Sequence, residues 1–116
     1  MVSRRTQRVA EQLKSEIARM LLEEVTDPRI ELVTLTRVDV APDLSHALVF
    51  WSSLDATTRD RIEEGLESAA SFLRRRLARQ LSLKRMPELR FCYDPSLALG
   101  SRTLALLRSL SDDEPA

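Results

Sequence analysis

Between Phe72 and Arg90 seven basic residues, Arg74, Arg75, Arg76, Arg79, Lys84, Arg85 and Arg90, accompany a single acid, Glu88, so this window carries +6 in a chain of zero formal charge. Guanidinium and ammonium groups at that density suit the neutralisation of phosphates, while part of the cluster is also what the macrodipole favours at the C-terminal end of a helix. The remainder of the chain is −6. Net charge therefore points to no partner, and the distribution has to carry the electrostatic argument. A second cluster, Arg4, Arg5 and Arg8, lies near the N-terminus. It reads either as an accessory patch facing an anionic partner or as a solvated terminus with incidental charge.

Other chemistries find little material. One histidine and one cysteine cannot build a protein-only zinc site, and the lone Cys92 cannot close an internal disulfide. His46 reads as a strand-end residue. Cys92 reads as a small, buried or half-buried strand residue with no neighbour to activate its thiol. The carboxylates Glu63, Glu64 and Glu67 cluster on the first half of a helix, where solvation explains them, and no acid, base or metal ligands converge on a pocket. We assign no catalytic residue, no metal, no cofactor and no small-molecule substrate. The N-terminal MVSRRTQR lacks the apolar run of a signal peptide, and no segment approaches the roughly 20 apolar residues that span a membrane. The expectation is a soluble, cytoplasmic protein.

The arginines must be positioned by the stretch Ile62 to Leu81. Ile62, Leu66, Ala69, Ala70, Leu73, Leu77 and Leu81 form one apolar stripe at helical spacing. On an ideal helix Arg75 and Arg79 lie nearly opposite that stripe, whereas Arg74 and Arg76 flank it and can lie along core edges. Arg75 and Arg79 are the better binding candidates. Thr57 or Thr58 supplies the N-cap and Asp60 the first-turn acid. A straight helix from Thr58 to Leu81 would be about 36 Å long, while strands of five or six residues span only about 17 to 20 Å. Two readings fit: a bend at Ala69, Ala70 and Ser71, or a straight helix whose small residues permit close packing.

Around it, Val9, Leu13, Ile17, Met20 and Leu21 mark a first amphipathic helix that ends at Thr26, Asp27 and Pro28. Its basic start and acidic end, Glu23, Glu24 and Asp27, oppose the helix macrodipole. Residues 32–40 read as a strand with Leu32, Thr34, Thr36, Val38 and Val40 on one side and Val33, Leu35, Arg37 and Asp39 on the other. The turn chemistry of Ala41, Pro42, Asp43 and Leu44 leads into a second strand over 46–51, apolar on both faces. Met86 and Pro87 open a third strand over 88–94. Leu97, Leu104, Leu107 and Leu110 predict a short, weaker last helix interrupted by Gly100, and residues 112–116 a disordered acidic tail. The class is α+β, with a three-stranded sheet and helices on one face, in a single domain over residues 1–111.

These residues also carry a resemblance. RVAEQLKSEIARML, then DPRI, VTLTRVDVAPDLSHALV and GLESAASFLRRRLARQLSLKRMPELRFCYDPS are similar, in order and spacing, to the ribosome-binding factor A family of bacterial small-subunit assembly factors. The similarity runs from residue 8 to about 107. Its most specific pieces are Asp27-Pro28-Arg29, Pro42-Asp43-Leu44-Ser45 and Pro87-Glu88-Leu89 before Phe91, Tyr93 and Asp94. It implies a type II KH-like fold with a kinked long helix, and binding of the 30S subunit and its 16S rRNA during late rRNA processing. Two departures stand out. The family's Ala-x-Gly kink is Ala69-Ala70-Ser71 here, and Leu48 stands where the family often has Lys. The Gly-x-x-Gly clamp of ordinary KH domains is absent, as it is from the family at large, so binding would rest on the helical surface.

The leading expectation is a monomeric, non-enzymatic rRNA binder with Arg75, Arg79, Lys84 and Arg85 on phosphates and Arg4, Arg5 and Arg8 in support. The alternative is a protein-protein adaptor using the acidic helix face.

Overall fold

The computed structural model describes residues 4–30, 33–83 and 85–113. A first helix, α1 (Arg4–Glu23), precedes the strands β1 (Thr34–Val40) and β2 (His46–Ser52). A 3-10 turn, Ala56–Thr58, leads into the long helix α2 (Arg59–Gln80), followed by β3 (Glu88–Tyr93) and α3 (Ser96–Asp113). The sheet order is β1-β2-β3. β1 and β2 form an antiparallel hairpin and β2 runs parallel to β3. The parallel pair requires a crossover, which α2 supplies. The α+β class and the KH-like order expected from the sequence are both present.

The apolar stripe of α2 behaves as its spacing predicts. Leu66, Leu73 and Leu77 are fully buried, with Ile62 and Ala69 beside them, and they meet Val9, Leu13, Ile17 and Met20 of α1 over the sheet residues Ala47, Val49, Trp51 and Leu89. The opposite face of the sheet carries the exposed Asp39, Leu48, Glu88 and Arg90, together with Arg37, whose guanidinium lies 4.2 Å over the Phe50 ring.

β1 departs from strict alternation. Its register slips between Leu35 and Arg37, so that Leu35 pairs with Trp51 and Val38 with Val49, and both Leu35 and Val38 turn into the core. The bulge is held from a distance, since Thr36 Oγ1 donates to Asp94 Oδ2 at 2.7 Å. That bond, with the Ser96 N–H, keeps the Asp94 carboxyl below the usual carboxylate range. One extra residue restores the apolar side chains to the covered face.

The turn before β2 uses Leu44 at φ 61°, an uncommon left-handed position for a residue with a branched side chain. Leu44 is buried, and the apolar contact offsets the backbone strain. The capping expectation for α2 holds in position but not in its bond. Thr58 occupies the N-cap but makes no side-chain capping bond. Its hydroxyl donates to the Asp55 carbonyl instead, while Asp55 Oδ1 accepts from the Thr57 N–H and hydroxyl.

α2 continues through Ala69, Ala70 and Ser71 as uninterrupted α-helix. The helical hydrogen bonding is thus continuous across the three residues named for the bend. Among the described residues Ser71 makes no side-chain hydrogen bond, so nothing competes there for a backbone carbonyl. Ser71→Gly should therefore cost stability, by up to about 1 kcal/mol for glycine in an exposed helix interior. Denaturant unfolding of the variant reads this directly, and an unchanged or raised midpoint would mean non-helical geometry at that position.

The Asp27-Pro28-Arg29 turn packs on the other end of α2. Arg29 bonds Asp27 through Nη2 at 2.6 Å and through its backbone N–H at 2.9 Å, which holds the Asp27 carboxyl at about 2 against an ordinary 3.8. A depressed folded value stabilises the native state above the unfolded value and ceases to do so as pH falls through the folded one. The stability difference between parent and Asp27→Asn is expected to shrink as pH drops from about 4 toward 2, measured by melts across that window. The seat for this turn is Gly65, where an added Cβ would lie 2.8 Å from Ile30 Cγ1 and 3.1 Å from Arg29 Cβ. Gly65→Ala would gain about 1 kcal/mol of helix propensity but force the turn outward, at about 1 to 3 kcal/mol. We expect a lowered melting temperature.

α3 is longer than its sequence suggests. It passes through Gly100 without a break and reaches Asp113, where a short helix and a tail from residue 112 were expected. Residues 114–116 lie outside the described residues. Its first turn is anchored by Leu97 N–H donating to Ser52 Oγ at 3.3 Å and by the buried Ala98. Beyond it Leu99, Leu104, Leu106, Leu107 and Leu110 are all more than half exposed.

Candidate nucleic-acid interface

The four arginines in the second half of α2 have different fates. Arg76 turns toward α1 and pairs with Glu24. Arg19 binds Glu16 at 3.0 Å and Glu23 at 3.1 Å, with Gln80 at 3.2 Å. The acidic end of α1, unfavourable for its own macrodipole, thus serves to hold α1 against the basic end of α2. Arg74 lies along the other edge, where Nη2 donates to the Met86 carbonyl at 3.3 Å and Nε to that of Pro87 at 3.4 Å. Arg75 and Arg79 are exposed and have no ion-pair or hydrogen-bond partner among the described residues. This separation follows the positions relative to the stripe: the two flanking arginines are used by the fold and the two opposite it are free.

The same contacts fix the relative direction of the helices. Moving forward along α1, Arg19 meets Gln80, Glu24 meets Arg76, and residues 24–27 face Ser68, Ala69 and Phe72 across a shallow groove. The two helices are antiparallel here, so the N-terminus of α1 extends past the C-terminal end of α2. Arg8 stands about 16 Å further along the axis than Arg19, at 1.5 Å per residue. The loop after α2 returns at that end too, where Glu88 N–H donates to the Ser45 carbonyl at 2.9 Å beside the hairpin turn. Arg85, in this loop, is exposed and close enough to add its charge to the Ser45 hydroxyl and backbone N–H that lower the Asp43 carboxyl. Lys84 lies outside the described residues.

Arg4, Arg5 and Arg8 are exposed on the first turns of α1 and, among the described residues, have no partner. Read from the sequence they are a separate accessory patch. The fold instead brings them to the same end of the molecule as Arg79 and Arg85. The exposed acids Asp60, Glu64 and Glu67 lie toward the opposite end of α2. Along α2 the charge thus changes sign, from a mixed first half in which Arg59 and Arg61 stand among the acids to a second half that carries only arginines, which the zero net charge of the chain conceals.

No alternative chemistry assembles elsewhere among the described residues. His46 Nδ1 lies 2.9 Å from Ser45 Oγ and Nε2 lies 3.4 Å from Glu88 Oε2, a strand-end position on the open face of the sheet. Cys92 is half-buried in β3. Among the described residues no three His, Cys, Asp or Glu side chains are grouped to hold a metal ion, and no helix is long and apolar enough to cross a membrane.

The family model for ribosome-binding factor A matches residues 5–107. The chain belongs to the ribosome-binding factor A family. A ribosome-binding factor A from Dechloromonas aromatica is 39% identical over 114 residues, 96% of this chain and 93% of the relative. One from Aromatoleum aromaticum is 42% identical over 113 residues, covering 97% and 89%. Among solved structures, ribosome-binding factor A from Thermus thermophilus superposes with a TM-score of 0.68 at 26% identity, over 76% of this chain and 94% of the other. A second Thermus thermophilus match is a homology model of ribosome-binding factor A as fitted into the cryo-EM map of a 30S complex, with a TM-score of 0.53 at 27% identity, over 72% and 93%. The family match covers the whole KH-like body together with the first two thirds of α3.

Proposed function

We propose that this chain binds the small ribosomal subunit through its basic end, contacting 16S rRNA during the late processing of that RNA, and that it acts as a cytoplasmic monomer without catalysing a reaction. The observation that carries this reading is the gathering of free arginines, Arg4, Arg5, Arg8, Arg79 and Arg85, at one end of the fold, with Arg75 one turn back on the same helix. Unpaired guanidinium groups meet phosphates without first breaking an internal ion pair, and each contact releases counterions from the RNA. The likeness to a ribosome-binding factor A fitted into the map of a 30S complex supports the choice of subunit.

Trp51 is fully buried and packs edge-on against Tyr93 at 5.1 Å, which leaves Phe72 of α2 as the one aromatic among the exposed large hydrophobic residues described. Binding rests on backbone contacts that position the protein, with shape rather than sequence selecting the site. Co-sedimentation with purified small subunits, large subunits and assembled ribosomes at two salt concentrations tests the reading. Pelleting with small subunits, weakened at the higher salt, is the expected result. Equal association with both subunits would contradict it, and salt-insensitive binding would favour an adaptor using the acidic helix face.

A further inference from the structure

Between α2 and the segment leading into β3 lies an open groove of about 390 Å³, lined by Ser71, Arg74, Arg75, Ala78 and Met86. Two cationic side chains and one hydroxyl form its polar wall. Ala78 and the half-buried Met86 supply an apolar patch. Ser71, Arg74, Arg75 and Ala78 lie at i, i+3, i+4 and i+7 of one helix, so they fall on a single strip of its surface.

Arg74 is oriented before any ligand arrives. Its guanidinium is held by the Met86 and Pro87 carbonyls through Nη2 and Nε, which leaves Nη1 and further N–H donors without a protein partner among the described residues. Arg75 has no internal partner among the described residues, and neither does the Ser71 hydroxyl.

We propose that this groove is a nucleotide subsite, taking one phosphodiester of single-stranded RNA between Arg74, Arg75 and Ser71 Oγ, with the attached sugar or base over Ala78 and Met86. The assignment rests on the reading of the basic end as an RNA-binding surface and names a ligand class and three contacts within it. The two arginines and the hydroxyl all donate, matching an acceptor-only phosphate. The apolar patch selects for a single strand, because a base in a duplex is stacked on its neighbours and cannot be laid on it. The volume suits one nucleotide unit and lies within the range of small-ligand clefts.

The test uses the full chain with a short fluorescein-labelled oligouridine and a labelled RNA duplex as probes, read by anisotropy. Ala78→Phe fills the groove without changing charge, and Ser71→Ala removes only the hydroxyl. Both residues are exposed, so thermal melts should match the parent and confirm that folding is intact. Ser71→Ala should weaken oligouridine binding about three- to tenfold, as for one hydrogen bond removed. Ala78→Phe should weaken it by at least that much and lower the salt slope by about 0.7 for the displaced phosphate. Duplex binding should change little. Parent-like oligouridine binding by both variants would overturn the subsite, and so would an equal reduction for duplex. If the Arg75→Glu, Arg79→Glu protein still loses small-subunit binding in that event, the basic-end reading survives the subsite. If that protein also binds like the parent, both fail.

Discussion

Changing Arg75 and Arg79 together to Glu is expected to weaken binding to small ribosomal subunits by at least about tenfold, the scale of removing charge-assisted hydrogen bonds, while leaving the thermal melt within error of the parent. Both side chains are exposed and neither has an internal partner among the described residues, so no buried group is orphaned. Every phosphate that is no longer neutralised should also flatten the dependence of log K on log salt by roughly 0.7 to 0.9. The reversal adds repulsion to that effect, because two carboxylates would then face phosphates. Arg76→Glu should behave differently. It places a carboxylate beside Glu24, where α1 meets α2, so its first effect is on stability. A melt that falls for Arg76→Glu and holds for the double variant separates the fold's arginines from those that meet RNA.

Leu77→Asp is expected to leave the domain unfolded or nearly so. Leu77 is fully buried, with no exposed surface, in the C-terminal half of the stripe that joins α2 to α1 and the sheet. Removing it forfeits the packing of a core leucine, about 2 to 5 kcal/mol. The aspartate would also be buried without a partner, which adds a desolvation cost of several kcal/mol. A domain of this size has only about 5 to 15 kcal/mol in total. Far-UV circular dichroism of the purified variant at room temperature should show a large fall in helix content, and a cooperative melt near that of the parent would contradict the assignment of this face to the core.

The features legible in the sequence have their cause close by in the chain. The stripe of α2, the hairpin turn at Pro42 and Asp43, and the division between free and flanking arginines all follow from spacing within a few residues. The features that are not legible have a distant cause. Strict alternation misplaces Leu35 because the bulge at Thr36 is held by Asp94, which becomes a neighbour only when β3 pairs with β2. Gly65 reads as an ordinary helix residue until the fold brings Ile30 against its missing Cβ. Glu23 has a partner one turn back in Arg19, but Glu24, just past the end of α1, pairs with Arg76, 52 residues away. Gly100 does not interrupt α3, since one glycine costs about 1 kcal/mol and the leucines and alanines around it favour helix. The N-terminal arginines form one cluster in the sequence and the α2 arginines another, and nothing short of the antiparallel packing of α1 on α2 shows that they share an end.

That shared end is the central claim, and the salt dependence of small-subunit binding tests it most directly. Affinity would be measured across a range of salt concentrations for the parent, for Arg75→Glu with Arg79→Glu, for Arg4, Arg5 and Arg8 changed together to Glu, and for all five combined. One continuous phosphate-binding surface predicts a steep parent slope, a reduction of roughly 0.7 to 0.9 per phosphate in each variant, and a combined variant flatter than either. A parent slope near zero, or an N-terminal triple variant that keeps the parent's slope and affinity, would contradict it.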